Sequence, residues 1–360
     1  MLQEMDSALM AFGVACRRHI RQGTRCGDRS GETGGVANIV IMRGADRFVS
    51  AESGLTSRHS FSFGRHYDPG NVGFGLLVMN NDDVIEPDNG YPTHPHRDVE
   101  IVTWVLEGAL VHRDSTGAGG VIHPGLAQRL SAGRGVQHSE FNDGGLARED
   151  TDMAGEHVVD SRDDTGPVAT RRQPLRFVQM WVPPDTPGVD PSYEQHDVSA
   201  QLASGDLITV ASGMPRHTGS AAIGLGQRSA AMHIARLRAG HLEPPRTRVV
   251  AGSGADADAP GSAGRPDSDV RGSAGRPDVD VRGFVDRPDV RTEVLAVTLP
   301  NAPFLHLYIA RGAVDVEGVG HLDEGDAARI TDEGGRHIIA ANDAEVIVWE
   351  MHTDISTPRT

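Results

Sequence analysis

From Ala37 onward the chain reads as short apolar segments separated by turn-forming residues. Asn38–Met42, Gly73–Met79, Glu100–Leu106, Leu110–Arg113 and Arg176–Val182 are rich in Val, Ile and aromatic side chains, and Gly, Pro, Asn or Asp interrupts them. Interruptions roughly every ten residues predict short strands in an all-β sandwich or barrel. Glu107-Gly108 and Ala132-Gly133-Arg134-Gly135 read as tight turns that use the backbone freedom of glycine. A second block repeats the rhythm with Phe304–Ala310, a turn at Arg311-Gly312, Ala313–Glu317, a turn at Gly325-Asp326-Ala327, and Glu345–Met351. The pattern predicts two tandem β-barrels with short helices only.

Three stretches break it. Residues 1–36 form a polar extension, disordered or frayed, with one short helix expected around Ser7–Ile20. Within 251–292, Gly261–Arg271 reads GSAGRPDSDVR, Gly272–Arg282 reads GSAGRPDVDVR, and Gly283–Arg291 is a shortened third copy, so the period is 11. An eleven-residue apolar period can wind helices together, but Pro266, Pro277 and Pro288 recur in the copies and forbid a continuous helix. The reading is a disordered surface loop grown by duplication. The acidic stretch 143–172 separates two strands of the first block and is expected over the mouth of its barrel. The expected organisation is a first barrel over 37–182, a connection over 183–230, a second barrel over 231–352 and a tail over 353–360.

Composition narrows the function classes. Among 360 residues, 34 Lys and Arg stand against 50 Asp and Glu, a net charge of −16. Such a surface argues against binding nucleic-acid phosphates or anionic membrane, and fits a basic protein partner better than DNA. The two cysteines, Cys16 and Cys26, form no disulfide framework, which points to a reducing cytoplasm. The apolar run Ala8–Cys16 is too short to span a bilayer, and its flanking charges are the reverse of a secretory signal.

The chemistry is concentrated in two short motifs. His94-Pro95-His96 and His138-Ser139-Glu140 each place two ligand-type side chains at i and i+2, on one face of a strand. Two such strands facing a barrel interior would gather three imidazoles and a carboxylate. That set suits a divalent first-row metal with two open positions, the mark of a catalytic or ligand-binding site rather than a structural one. Glu100 has the same strand parity as His94 and His96, so parity leaves it a rival carboxylate.

The surrounding spacings carry a resemblance. Three residues separate His96 from Glu100, Gly108 follows, Gly135 stands before His138 with two residues between, and Asn142 follows it with three between. These resemble the two signature motifs of the cupin superfamily. Within it the chain resembles the pirin family, through Ser60-Phe61-Ser62-Phe63, Gly73-Phe74-Gly75, Asn81-Asp82-Asp83, the Pro95 to Glu100 and Ser131 to Glu140 stretches, and Gln179-Met180-Trp181. Ser192-Tyr193-Glu194-Gln195 resembles the family's link between barrels. The likeness is strong over about 37–200, looser over 230–352, and absent from the extension and the repeat loop.

The resemblance implies a bicupin with one metal in the first barrel, ligated by His94, His96, His138 and Glu140, with Glu100 as rival ligand or outer partner. Iron is the foremost candidate, and the donors also admit nickel, copper, cobalt, manganese or zinc. It implies quercetin 2,3-dioxygenase chemistry on a flavonol-like substrate with O2, Glu140 serving as base. The alternative it implies is a redox-sensing, metal-dependent protein recognised by a transcription factor or enzyme. His112 and His123 are expected near the site without ligating. The second barrel, whose His233, His241, His306 and His337 lack such spacing, is expected to be metal-free. Phe63, Phe74, Trp104 and Phe141 are expected in the core, with one or two lining the site.

Overall fold

A computed structural model of the chain describes residues 38–142, 173–239 and 296–356. The extension with its expected helix and both cysteines, the 143–172 insertion, His241, the repeat loop and residues 357–360 lie outside the described residues. The chain forms β1 (Asn38–Met42), β2 (Phe48–Glu52), β3 (Leu55–His59), β4 (Met79–Ile85), β5 (Gly90–His96), β6 (Glu100–Glu107), β7 (Leu110–Asp114) and β8 (Gly119–Ile122). It continues with β9 (Leu126–Ser131), β10 (Val136–Asn142), β11 (Leu175–Val182) and β12 (Ser192–Asp197). After the one-turn helix α1 (Ser199–Leu202) come β13 (Ile208–Ser212), β14 (Ile223–Gly224) and β15 (Ala230–Leu237). The remaining strands are β16 (Ala296–Thr298), β17 (Ala302–Arg311), β18 (Ala313–Val316), β19 (Gly320–Asp323), β20 (Ala327–Glu333), β21 (His337–Ala340) and β22 (Ala344–Met351).

These strands make two barrels, each a seven-stranded sheet closed by a four-stranded one. The first pairs β12-β9-β6-β11-β4-β3-β2 with β5-β10-β7-β8; the second pairs β1-β20-β17-β22-β15-β13-β14 with β16-β21-β18-β19. The fold is the expected all-β bicupin. Strands β6 (EIVTWVLE) and β11 (LRFVQMWV) are apolar on both faces because both faces are buried. Ile101, Val105 and Phe177 point into the first barrel. Val102, Trp104, Val178 and Met180 point the other way and pack against Met232, Ile347 and Trp349 of the second barrel in one shared core.

Inside the first barrel the apolar filling is interrupted. Asn81, Gln179, Thr103 and Gln128 are register neighbours across β4, β11, β6 and β9 and all are buried. They form a polar row between two apolar clusters. The second barrel has no counterpart among the described residues: Leu305, Leu307, Ile309, Val346 and Val348 fill its interior.

Three sequence expectations differ from the structure. β1 was assigned to the first barrel but pairs with β20 of the second, because Ile39 and Ile41 pack on that barrel's core and the Gly44 N–H bonds Asp326 Oδ1 at 2.7 Å. The 183–230 connection is itself built into the sheets, β12 on β9 of the first barrel and β13 on β15 of the second. Gly73–Met79 is not a continuous strand; Gly75 takes φ 55 and turns the chain so that Phe74 bridges Leu77.

Candidate metal centre and cavity

The four-stranded sheet of the first barrel turns a cluster of chemically useful side chains inward. On β10, burial alternates so that His138, Glu140 and Asn142 are buried while Phe141 is exposed. Phe141, expected in the core, is 39% exposed for this reason of parity. Register sets His94 opposite His138 on one side, and Asp114 and His112 opposite His138 and Glu140 on the other.

β5 reaches this arrangement through a β-bulge. His138 pairs with His94 but Glu140 pairs with Tyr91, so β5 spends one extra residue and its parity inverts. Tyr91 therefore lines the same cavity as His94, three positions away. The two prolines in GYPTHPH are tolerated because β5 is the edge of its sheet, where missing N–H donors break no ladder. Pro92 also contributes: its carbonyl oxygen lies 2.7 Å from His94 Nδ1. With the proton on Nδ1, His94 keeps its Nε2 lone pair free for a ligand.

The three histidines converge. Ring centroids are 4.8 Å apart for His94 and His96, 4.4 Å for His94 and His138, and 4.8 Å for His96 and His138. A ligand atom from each lies within 4.8 Å of the others. Neither ring nitrogen of His96, nor His138 Nε2, has a hydrogen-bond partner among the described residues. Buried polar atoms without partners are costly, and a cation among these lone pairs would remove that cost. The residues present thus fit a divalent first-row metal. Burial holds His96 down to about 3, with His94's charge adding to the effect. Burial also drives His138 far below its ordinary value, and lowers His94. Burial thus favours the neutral imidazole, the form that donates a lone pair to a metal.

Glu140 belongs to an adjoining triplet, with His112 and His138. His112, expected near the site without ligating, stands behind His138: its Nδ1 is 3.4 Å from His138 Nδ1, and its Nε2 is 3.5 Å from the Asp114 carboxylate. His123 is an exposed turn residue. Gln179 Nε2 donates to both Glu140 oxygens at 3.0 Å, and Trp181 Nε1 donates to Gln179 Oε1 at 3.2 Å. Burial pushes Glu140 up to about 7, against the pull of the Gln179 bonds and with help from Asp83. Burial pushes Asp83 up to about 7 as well.

Glu100 is elsewhere. It is buried on β6, but its Oε2 accepts the Ser131 hydroxyl at 2.7 Å and the Gly226 N–H at 2.9 Å, and it joins neither triplet. Counting from His96 preserved its parity on paper; between the strands, Asp98 takes φ 52 and the chain turns, so Glu100 enters the opposite sheet on the face that carries Val102 and Trp104. In the second barrel His233 Nε2 lies 3.1 Å from Glu350, His306 is fully buried, and His337 is exposed.

Beside the triplets lies a cavity of about 270 Å³, at the small end of ligand pockets. Phe48, His59 and Phe63 supply an aromatic wall, with Asp83, Tyr91, His94, Glu140 and Gln179 among the polar groups. Of the four aromatics expected in the core, Phe63 lines the site, Phe74 joins the shared core and Trp104 is fully buried there. Sequence reasoning assigned no role to Tyr91, Asp83 or Gln179. Asn81-Asp82-Asp83 and Gln179-Met180-Trp181 stood out as motifs, yet the contacts that give them roles run between sheets.

Among the described residues no helix is long and apolar enough to cross a membrane. A family model described as Pirin matches residues 42–182. A Mycobacterium tuberculosis (strain H37Rv) relative named "Putative quercetin 2,3-dioxygenase Rv0181c" is 40% identical over 324 residues, 90% of this chain and 99% of that protein. Quercetin 2,3-dioxygenase of Escherichia coli K12 is 38% identical over 163 residues, 45% of this chain and 59% of that protein. The solved structure of bacterial pirin YhhW from E. coli in complex with nickel(II) covers 88% of this chain and 100% of its own, with TM-score 0.59 at 24% identity, and shares the fold. Similarity across nine-tenths of the sequence, with the family model lying over the barrel that carries the histidines, leads to one conclusion: the chain belongs to the pirin family.

Proposed function

We propose that this protein is a metal-dependent dioxygenase of the quercetin 2,3-dioxygenase type, cleaving a flavonol with O2. The observation that carries the reading is the buried triplet of His94, His96 and His138, with unpartnered ring nitrogens, beside a cavity that Glu140 also lines. The names of the relatives support the substrate class. His94, His96 and His138 would hold the ion, with Glu140 beside His138 as the carboxylate of the set. A bound divalent metal supplies Lewis acidity, which lowers the pKa of a hydroxyl oxygen.

The chain's own residues do the rest. Glu140, buried and lining the cavity, is placed to accept a proton from the flavonol 3-hydroxyl. Gln179 holds both carboxylate oxygens and so fixes the direction from which that proton is taken. The Asp114–His112 pair behind His138 orients that ligand, as outer hydrogen-bond partners of metal-bound histidines do. Phe48, His59 and Phe63 present apolar ring surface to a flat substrate and exclude water from the reacting end.

The test pairs elemental analysis with a flavonol assay. Protein purified without added metal should carry about one ion per chain, and the loaded form should bleach the visible absorbance of quercetin in air. His96→Ala should bring the metal content to background. Glu140→Gln should retain metal and lose at least about 100-fold in turnover, the usual worth of a positioned base. Metal-loaded protein that leaves quercetin untouched would overturn the reading and favour a metal-dependent interaction protein.

A further inference from the structure

The Asn81-Asp82-Asp83 motif is divided between the two faces of β4. Asp82 faces the second barrel, bonded to Arg176 and Tyr308. Asp83 faces the cavity and is 1% exposed. Its Oδ2 accepts the Tyr91 hydroxyl at 3.2 Å, and the Ser57 hydroxyl lies 3.2 Å from the same phenol oxygen. Its Oδ1 has no hydrogen-bond partner among the described residues.

Ser57 reaches the same carboxylate, and the other neighbouring donors are committed elsewhere. Tyr91 has a single proton, already given to Oδ2. Gln179 spends its amide on Glu140, and the Asn81 side chain engages His59. Leaving a buried carboxylate oxygen unpartnered is costly, and packing does not require a carboxylate here. Met79 and Ile85, on the same face of β4, are apolar members of the clusters above and below. The cavity's other wall is flat and aromatic: His59 stacks on Phe63 at 5.3 Å between centroids, and Phe48 lies 5.7 Å from His59. A ligand that brings a ring together with a hydroxyl satisfies both features. Because a hydroxyl donates and accepts, it suits Oδ1 in either protonation state.

We propose that Asp83 is a specificity-determining residue of this cavity, bonding a phenolic hydroxyl of the substrate other than the one that reacts. The inference rests on the flavonol reading above and narrows it to polyhydroxylated flavonols. Sites built to bond a substrate hydroxyl reject analogues that lack it far more strongly than apolar pockets reject a missing methylene.

The experiment titrates metal-loaded, full-length protein without oxygen, using quercetin and 3-hydroxyflavone, which lacks the additional hydroxyls, and follows ligand absorbance. Wild type should bind quercetin at least about tenfold more tightly. Asp83→Leu, which fills the same space with no polar atom and carries metal equal to wild type, should lose at least about ten times more affinity for quercetin than for 3-hydroxyflavone. Equal losses for the two ligands, or no preference in wild type, would overturn the proposal; should Asp83→Leu not fold, Asp83→Ala supplies the same comparison. Adding air separates the two readings. Hydroxyl-selective binding without turnover removes the dioxygenase reading and keeps the role of Asp83. Turnover with an unchanged preference in Asp83→Leu does the opposite.

Discussion

Gly90 has no room for a side chain. A Cβ there would stand 2.3 Å from the Glu140 carbonyl oxygen and 2.5 Å from the Phe141 ring, where β5 and β10 are pinned together beside the bulge. Gly90→Ala must therefore push the strand that carries His138 and Glu140. The expected result is a loss of about 1–3 kcal/mol, the usual cost of overpacking, together with a lower metal content. Chemical unfolding and elemental analysis check it, and wild-type values for both would show that the strands part freely. At this scale the sequence was readable where chemistry follows parity: the i, i+2 spacing alone brought His94 and His96, and His138 and Glu140, to shared faces. Tyr91 was not readable, because a bulge inverts parity and leaves no composition of its own. Asp83 and Gln179 were visible as residues in motifs, but their partners lie on other strands.

β17 carries a titratable group with no chemistry to perform. His306 is fully exposed to neither solvent nor a partner: it is 0% accessible, neither ring nitrogen is bonded among the described residues, and Phe61 lies 6.0 Å away. Burial holds it down to about 3, and Arg329 and Arg47 add to the effect. Below its ordinary value near 6.5, the unfolded chain takes up the proton while the folded chain refuses it. Its contribution is thus present above pH 6.5 and lost as pH falls toward 3. Between pH 6.5 and 5 the loss is about 2 kcal/mol, from 1.36 kcal/mol per pH unit. His306→Leu should remove that slope with little change in stability at pH 8, as urea unfolding at pH 8 and 5 would read; an unchanged slope would place the acid sensitivity elsewhere. Elements themselves were largely legible. β6 and β11 announced themselves as runs dominated by apolar residues on both faces. Parity left Glu100 open as a rival to Glu140 because the count runs across a turn at Asp98 into a different sheet, where it faces the second barrel.

The two barrels share one core and one buried polar network. Tyr308 of the second barrel donates to Asp82 at 2.6 Å, Arg47 donates to the Tyr308 oxygen at 3.0 Å, and Arg176 grips Asp82 at 2.8 and 3.0 Å while reaching Glu324. Burial alone would raise the Asp82 carboxyl; the bonded, charged Arg176 overrides it and holds Asp82 below its usual value. Arg176→Met strands that carboxylate, so a loss of about 3 kcal/mol is expected, the lower end of what breaking a buried pair costs. Since Val102, Trp104, Met232 and Trp349 lie in one cluster, far-UV dichroism and tryptophan fluorescence should show a single coincident transition in both proteins, and separated transitions would show independent barrels. Sequence by itself determined the β class, the tandem arrangement and the three imidazoles, since each rests on the two-residue period of a strand, a property of adjacent positions. Tertiary structure alone decided that Glu100 is taken up by Ser131 and Gly226, that Tyr91, Asp83 and Gln179 join the cavity, and that β1 crosses to the second barrel. Those outcomes depend on bulges, turns and contacts between sheets, where residues distant in the chain compete for the same partner and local pattern carries no record of which one wins.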